Sequence, residues 1–188
     1  MYNTKDNIVA LATTPGKSAI SVVRCSGAGC LDLYLGLVGT KKKPRPNYIK
    51  LHTLYYKNQV VDQMMISFFR GPKSFTGQDM IEFSCHGGVV VAQRLLLIIQ
   101  KEDFRLALPG EFSYRAFIEG KLDLVQAEAI GSIIDANTQL DSMYAVNNLK
   151  GGFSGKILGF SKKIEKIITF IEHELDFDEN EIDFISIE

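Results

Sequence analysis

The sequence has no tryptophan, only three cysteines and three histidines, and no excess of either charge. The cysteines are odd in number and have no repeated spacing, which excludes a disulfide framework and predicts reduced thiols in a cytoplasmic protein. The histidines lie far apart in the sequence, so no metal site is predicted. The formal net charge of −1 excludes a positive field over the whole molecule. Any nucleic-acid contact therefore has to come from a local patch or from a partner.

Long apolar runs are absent as well. No run approaches the roughly 20 residues that a membrane-spanning helix needs. The first residues, Met-Tyr-Asn-Thr-Lys-Asp-Asn, show no secretory signal, and no internal repeat or low-complexity tract is found. The remaining composition is ordinary for a globular protein, with 46% hydrophobic and 23% charged residues. The 188 residues can form one large domain, or one domain with an appendage.

The first part of the chain is dominated by strand patterns. Short apolar runs rich in β-branched residues, separated by turn residues, predict strands at 8–13, 19–25, 48–56, 59–69, 79–86 and 104–108. The third and fourth runs are separated by Lys57-Asn58 alone, which favours a tight hairpin. The sequence therefore predicts a sheet that contains at least one pair of antiparallel neighbours.

Helical patterns appear between these strands and after them. We predict a helix from Ser26, as the N-cap, to Val38 and another over 89–101. Later apolar residues recur at three- and four-residue spacing, which predicts one helix over 121–136 and a second over 138–176. Three glycines interrupt the second of these and indicate a kink or close helix packing there: Gly151, Gly152 and Gly155.

The stretch from Leu108 to Glu128 marks the change from strands to helices. Pro109 and Gly110 end the last strand pattern before the helical spacing begins. We interpret this stretch as a rigid corner between two domains, at 1–118 and 119–188. At the end of the chain, six acidic residues and no basic residue follow from Asp176 onward, which predicts a solvated linker.

Two short motifs are ambiguous. The segment from Gly151 to Ile157 looks like a phosphate-binding loop, but Lys150 occupies the position of its first glycine and Ile157 offers no hydroxyl for magnesium. We therefore predict that the chain neither binds nor hydrolyses GTP by itself. The basic run 41–46 is interpreted as a solvated loop, with an RNA contact as the alternative, because the run contains no aromatic side chain that could stack on a base.

One long motif carries a resemblance. The sequence PGEFSYRAFIEGKLDLVQAEA, starting at Pro109, resembles the signature of the MnmE/TrmE family of tRNA-modification GTPases. The loop 71–79, Glu82 and the segment 85–88 also resemble that family in order and spacing. The resemblance covers nearly the whole chain, with local departures. At one of these, Gln78 stands where the family usually has an acidic residue.

The resemblance implies an α+β fold. A mixed-sheet domain similar to tetrahydrofolate-binding domains would be followed by the first helices of a helical domain. The chain would end before the family's GTPase domain, which binds GTP with magnesium and potassium. It would supply the module that binds 5-formyltetrahydrofolate, the one-carbon donor, and that forms a homodimer. The implied reaction installs a carboxymethylaminomethyl-type group on the wobble uridine of certain tRNAs, together with a flavin-containing partner protein.

The family's folate-contact positions fall on Arg24, Glu82 and Lys121. By spacing alone each of these is an ordinary solvated charge. Strand alternation places Glu82 on the face opposite Ile81 and Phe83, so its carboxylate can leave the core. A carboxylate can accept hydrogen bonds from the amino group and ring N–H of a pterin, and cationic side chains can pair with the carboxylates of a glutamyl tail. No catalytic residue is predicted in this chain.

Two other classes of function remain open. One is a one-carbon transferase that resembles the glycine-cleavage aminomethyltransferase, which shares the folate-binding fold; the PGEFS and GKLDL-x-QAEA segments argue against it. The other is an assembly module that binds no ligand. Titration with a reduced folate would separate the assembly module from the two folate-binding alternatives.

Overall fold

The computed structural model describes residues 3–176, so the acidic segment predicted as a linker lies almost entirely outside the described residues. The chain divides into two compact units, residues 1–122 and 123–188. The domain ranges inferred from the sequence, 1–118 and 119–188, stay a prediction. Within the described part, no helix combines the length and apolar character needed to cross a bilayer.

The first unit is built on a mixed sheet. Its strands are β1 Ile8–Leu11, β2 Ile20–Ser26, β3 Tyr48–Tyr56, β4 Gln59–Phe69, β5 Met80–His86 and β6 Arg105–Leu106. They lie in the order β3-β4-β5-β2-β1-β6, and only β1 and β6 are parallel neighbours. The strand patterns in the sequence are confirmed, although β6 is shorter than its pattern. Together with the helices, the sheet confirms the α+β fold.

The hairpin between β3 and β4 follows from its two turn residues. Lys57 and Asn58 both have positive φ, at 49° and 61°. Two such residues in succession form the turn whose twist matches that of the flanking strands. The predicted tight hairpin is therefore confirmed.

Helices α1 Cys30–Val38 and α2 Val89–Gln100 pack against one face of the sheet and form the core with it. The predicted N-cap of α1 is wrong, because that helix begins after Gly29 without a side-chain cap. Ser26 is instead the last residue of β2, and its hydroxyl hydrogen-bonds the Thr76 hydroxyl at 2.7 Å.

Helix α3, Glu111–Ile118, lies where the sequence analysis expected only a corner. Gly110 enters it with φ 74°, and the Glu111 carboxylate accepts the backbone N–H of Leu108 at 2.9 Å. A carboxylate in the first turn is favourable because the helix dipole is positive there. The sequence pattern does not predict this helix, because it is only eight residues long and its apolar spacing is interrupted by charged side chains.

The second unit contains α4 Leu124–Ile134, α5 Gln139–Leu149 and α6 Gly152–Asp176. Asp123 caps α4 in a reciprocal arrangement with Gln126. The single helix predicted over 138–176 is wrong, since the chain breaks at Gly151, where φ is 85°. Its apolar stripe is nevertheless present on α6 and is 46–79% exposed at Ile157, Phe160, Ile164, Ile167, Ile171 and Leu175.

Candidate functional site

Strand β5 separates the core from the candidate site. Ile81, Phe83 and Cys85 belong to the hydrophobic core, whereas Glu82 is half-buried on the opposite face of the sheet. The alternation predicted from the sequence is thus confirmed. The face that carries Glu82 is turned away from α1 and α2, so a polar side chain can function there without disturbing the core.

Arg24 and Glu82 are directly paired residues of β2 and β5. The Nε of Arg24 donates to Oε1 of Glu82 at 2.8 Å, and an Arg24 terminal nitrogen lies 2.7 Å from the same oxygen. The side chains are 31% and 26% exposed, so the ion pair is in contact with solvent. Both contacts fall on Oε1. The hydrogen bonds of the described residues therefore leave Oε2 of Glu82 without a protein donor.

Two phenylalanines lie against the Arg24 guanidinium. Its central carbon is 5.7 Å from the centre of the Phe75 ring and 5.8 Å from that of the Phe112 ring, within the range of cation–π contact. Phe75 is 37% exposed. The sequence does not reveal either ring as a partner of Arg24, because the two come from a loop and from α3 and share no spacing with it. Their contacts hold the arginine in the orientation that places it on Glu82.

The 70–79 loop, which carries Phe75, is tied down at several points. Asp79 accepts the backbone N–H of Gly71 at 2.8 Å, and the Ser74 hydroxyl donates to the Gln78 carbonyl. Thr76 is fully buried in its hydrogen bond with Ser26. The position of the Phe75 ring is therefore set by the loop backbone and by β2.

Lys121, which follows α3, contacts the 70–79 loop but does not join the ion pair. Its Nζ donates to the carbonyl of Pro72 at 3.0 Å. Gly77, with φ 80°, packs so closely that a β-carbon there would lie 2.8 Å from Cβ of Glu119. No hydrogen bond or ion pair among the described residues joins Lys121 to Arg24 or Glu82. The structure thus brings together two of the three predicted site residues and connects the third to them through the loop.

Behind this loop lies a buried charge network that the sequence did not reveal. Glu111 and Arg115 are both fully buried. Arg105 donates to both carboxylate oxygens of Glu111 at 2.7 and 2.8 Å, and Arg115 donates to one of them at 3.0 Å. Burial by itself would raise the pKa of Glu111, but the hydrogen bonds from Arg105, the Leu108 N–H and Arg115 outweigh it and lower this pKa to about 2.

Arg115 connects this network to the 70–79 loop. It donates to the side-chain oxygen of Gln78 at 2.9 Å and to the carbonyl of Asp6 at 2.7 Å. Gln78 also donates its amide to the carbonyl of Thr4 at 2.8 Å. The resemblance places an acidic residue at this position. The amide oxygen of Gln78 keeps the acceptor that Arg115 requires, so the departure preserves the contact.

The metal-ligating residue types, the glycine-rich segment and the cysteines add no second site within residues 3–176. Among residues 3–176, no group of three or more His, Cys, Asp or Glu side chains is arranged to hold a metal ion. The segment 151–157 forms the turn after α5 and the start of α6, and it follows a helix instead of a strand. Cys25, Cys30 and Cys85 are free and buried. Burial raises the pKa of the Cys25 thiol, which makes it a poor nucleophile.

Comparisons with known proteins match both units of the chain to one protein family. Residues 7–121 match the family described as GTP-binding protein TrmE N-terminus, and residues 124–188 match the MnmE helical domain. The chain is similar to the tRNA modification GTPase MnmE of Aquifex aeolicus, with 42% identity over 151 residues, 80% of this chain and 34% of the relative. It is also similar to that of Thermotoga maritima, with 40% identity over 147 residues, 78% of this chain and 33% of the relative. The chain thus spans about a third of the length of the curated relatives that it matches.

Proposed function

Because the chain belongs to the MnmE family of tRNA-modification GTPases, we propose that it supplies the module that binds 5-formyltetrahydrofolate and forms the dimer. In this proposal the complete protein acts in the cytoplasm with a flavin-containing partner. It installs a carboxymethylaminomethyl-type group on the wobble uridine of certain tRNAs. GTP hydrolysis, with magnesium and potassium, is assigned to a part of the relatives that this chain does not span. The folate would supply the one-carbon unit.

The folate assignment depends on one observation, the hydrogen bonding of the two carboxylate oxygens of Glu82. Its Oε1 is held by Arg24, while Oε2 has no donor among the described residues and the side chain is 26% exposed. A pterin edge presents an amino group and a ring N–H side by side, and both need acceptors. An oriented carboxylate with a free oxygen fits that need, and charge-assisted hydrogen bonds are among the stronger polar contacts.

The neighbouring residues support the same ligand. The half-exposed Phe75 ring lies beside the ion pair and offers an apolar surface to a flat heterocycle. We assign Arg24 two tasks, orienting Glu82 and offering positive charge to the anionic or carbonyl parts of the ligand. Lys121 uses one N–H on Pro72, which leaves ammonium hydrogens for a glutamyl carboxylate.

Dimer formation is supported by the face of the sheet that carries Glu82. Four large apolar side chains there are 43–58% exposed, and we call them the open face: Ile20, Ile49, Leu51 and Met65. Leu51 and Met65 are directly paired, as are Ser67 and Glu82, so the open face adjoins the ion pair. An apolar patch of this kind marks an interface, and we propose a second copy of the chain as its occupant.

The test of the folate assignment is Glu82→Gln. This change keeps the shape of the side chain but replaces one carboxylate oxygen by a donor, so the pterin contact is lost. We expect the affinity for 5-formyltetrahydrofolate to fall by roughly tenfold to a hundredfold, measured by calorimetry at high protein concentration. The matched control is Glu102→Gln, the same substitution at an exposed residue just after α2.

The pterin contact would be contradicted if Glu82→Gln bound 5-formyltetrahydrofolate as tightly as the parent chain. Thermal melts establish that both proteins are folded. If the parent chain itself bound no reduced folate, the ligand-free assembly module would be favoured. Binding by the parent that weakens by roughly tenfold or more in Glu82→Gln and is unchanged in Glu102→Gln supports the proposed site.

A further inference from the structure

One stretch of this chain contains basic residues but no acidic residue. Between Asp32 and Asp62 there is no acidic residue, although the chain contains 22 of them. The same stretch holds six basic residues: Lys41, Lys42, Lys43, Arg45, Lys50 and Lys57. A protein with a net charge of −1 therefore carries a local positive patch, and this is the condition under which a polyanion can be attracted to one surface.

Most of these cations line one cleft. A cleft of about 370 Å³ opens between the end of α1 and strand β3, within the size range of about 300–1,000 Å³ that is usual for ligand sites. Its basic lining residues, which define what we call the basic cleft, are Lys42, Lys43, Arg45 and Lys50. No acidic residue lines it. Four ammonium and guanidinium groups thus share one concave surface with no carboxylate to neutralise them.

The floor of the basic cleft is polar and ordered. The Tyr34 hydroxyl and Nε2 of His52 are 3.0 Å apart, and both residues line the cleft. Burial, with the nearby Lys50 charge, lowers the pKa of His52 and so favours its neutral imidazole. The floor therefore offers hydrogen-bonding groups without adding or removing charge.

An aromatic ring lies at the same cleft. Tyr48 is 57% exposed, and the Arg45 guanidinium lies 5.6 Å from the centre of its ring. The basic run 41–46 itself contains no aromatic residue. The structure supplies one from the first residue of β3. Cations that follow a backbone, combined with an exposed aromatic or guanidinium surface, are the combination by which proteins hold unpaired nucleotides.

We propose that the basic cleft binds the phosphodiester backbone of RNA, with Tyr48 and Arg45 stacking on an adjacent unpaired base. This inference rests on the proposed function, which makes an RNA the substrate. It adds an RNA contact made by this unit itself, separate from the Glu82 site. The exposed tyrosine favours RNA over a free inorganic anion, because a phosphate alone would leave the aromatic surface unused.

The test compares two triple variants of the 188-residue chain that remove the same charge. Lys42→Gln/Lys43→Gln/Arg45→Gln neutralises the basic cleft, and Lys162→Gln/Lys163→Gln/Lys166→Gln neutralises three lysines of α6. Binding of fluorescein-labelled tRNA is followed by fluorescence anisotropy over a series of salt concentrations. We expect the cleft variant to lose at least about tenfold in affinity, and its log–log salt slope to fall by about 2, since each lost phosphate contact removes about 0.7–0.9. The α6 variant should keep the parent slope.

Tyr48→Leu separates stacking from charge. We expect it to weaken binding by roughly fivefold to a hundredfold without changing the salt slope, because base stacking contributes about 1–3 kcal/mol and releases no counterions. Thermal melts establish that each variant is folded.

Three outcomes would overturn the proposal: unchanged RNA affinity of the cleft variant, an equal loss in both triple variants, or calorimetric binding of inorganic pyrophosphate that needs the cleft while RNA binding does not. The cleft variant should still bind 5-formyltetrahydrofolate. Failure of the RNA contact is therefore distinguishable from failure of the folate site, which Glu82→Gln tests.

Discussion

At the scale of single residues, the Glu111 carboxylate is held between two guanidinium groups. Removing two charges from water is costly, and this pairing is stable because Arg105 contacts both carboxylate oxygens and Arg115 contacts one of them. The same guanidinium of Arg115 fixes Gln78, and with it the 70–79 loop. Glu111 therefore has a structural role, although its effect reaches the candidate site through Arg115 and the 70–79 loop.

Replacing Glu111 by glutamine should leave two arginines without their shared anion. We expect the free energy of unfolding at pH 7 to fall by about 3–5 kcal/mol, measured by urea denaturation. Glu102→Gln, which removes an exposed carboxylate from the same unit, should change it by less than about 0.5 kcal/mol. Similar losses in the two variants would contradict the role of the buried network.

The same substitution predicts a change with pH. The pKa of Glu111 is lowered to about 2 in the folded chain, from an ordinary value of 4.5. Its stabilisation is therefore complete above about pH 4.5 and is lost as the pH falls towards 2. That shift corresponds to about 3 kcal/mol. The stability of Glu111→Gln should consequently fall less steeply between pH 4.5 and 2 than that of the parent chain.

What the sequence predicts at this scale is the face on which a residue lies, because strand alternation depends on neighbours along the chain. The alternation therefore predicts that Glu82 lies on the face opposite Phe83, and the structure confirms it. The partners of a charge depend on distant segments. Arg115 donates to the Asp6 carbonyl, and Arg24 lies against Phe75 and Phe112, and no spacing in the sequence encodes these contacts.

At the scale of elements, the helical region shows how one backbone angle overrides a side-chain pattern. The apolar spacing over 138–176 correctly predicts that α6 carries an apolar stripe. It does not predict the break at Gly151, where φ is 85°. A glycine is neutral in the apolar pattern, so the pattern cannot distinguish a left-handed glycine from a helical one.

Two glycine substitutions should therefore have opposite effects. Gly151→Ala forces a β-carbon into the left-handed region, which should lower the free energy of unfolding by about 1–2 kcal/mol. Gly155→Ala lies inside α6, where a β-carbon would meet no atom within 4 Å, and it should raise that free energy by about 1 kcal/mol. Thermal unfolding followed by circular dichroism measures both. Shifts of the same sign would show that the break does not lie where the structure has it.

At the scale of the whole molecule, residues 3–176 include at least two exposed apolar surfaces, the open face of the sheet and the stripe on α6. Both could drive self-association, so a dimer observed in solution does not by itself identify its interface. They belong to different units, and one charged substitution in each can separate them.

We expect Leu51→Glu to weaken self-association by at least about tenfold. A two-fold interface would bring two such carboxylates into the apolar contact at once. Sedimentation at tens of micromolar measures the dissociation constant. The control is Ile164→Glu on α6, which should leave a dimer of the open face intact. Loss of association only in Ile164→Glu would assign the interface to the helix and contradict the proposal.

The order in which the chain is synthesised gives the Arg105 and Arg115 contacts a further consequence. Both arginines bind the N-terminal segment, at Asp6, and β6 pairs with β1. The pairing of β6 with β1 and the Arg105 contact cannot form until residue 106 has been translated, and the Arg115 contact forms later still. At about 5–20 residues per second, this leaves the outer edge of β1 unpaired for about 5–20 s after it emerges from the ribosome. An unpaired strand edge invites association with other chains. We therefore expect the nascent chain to depend on chaperones during this interval.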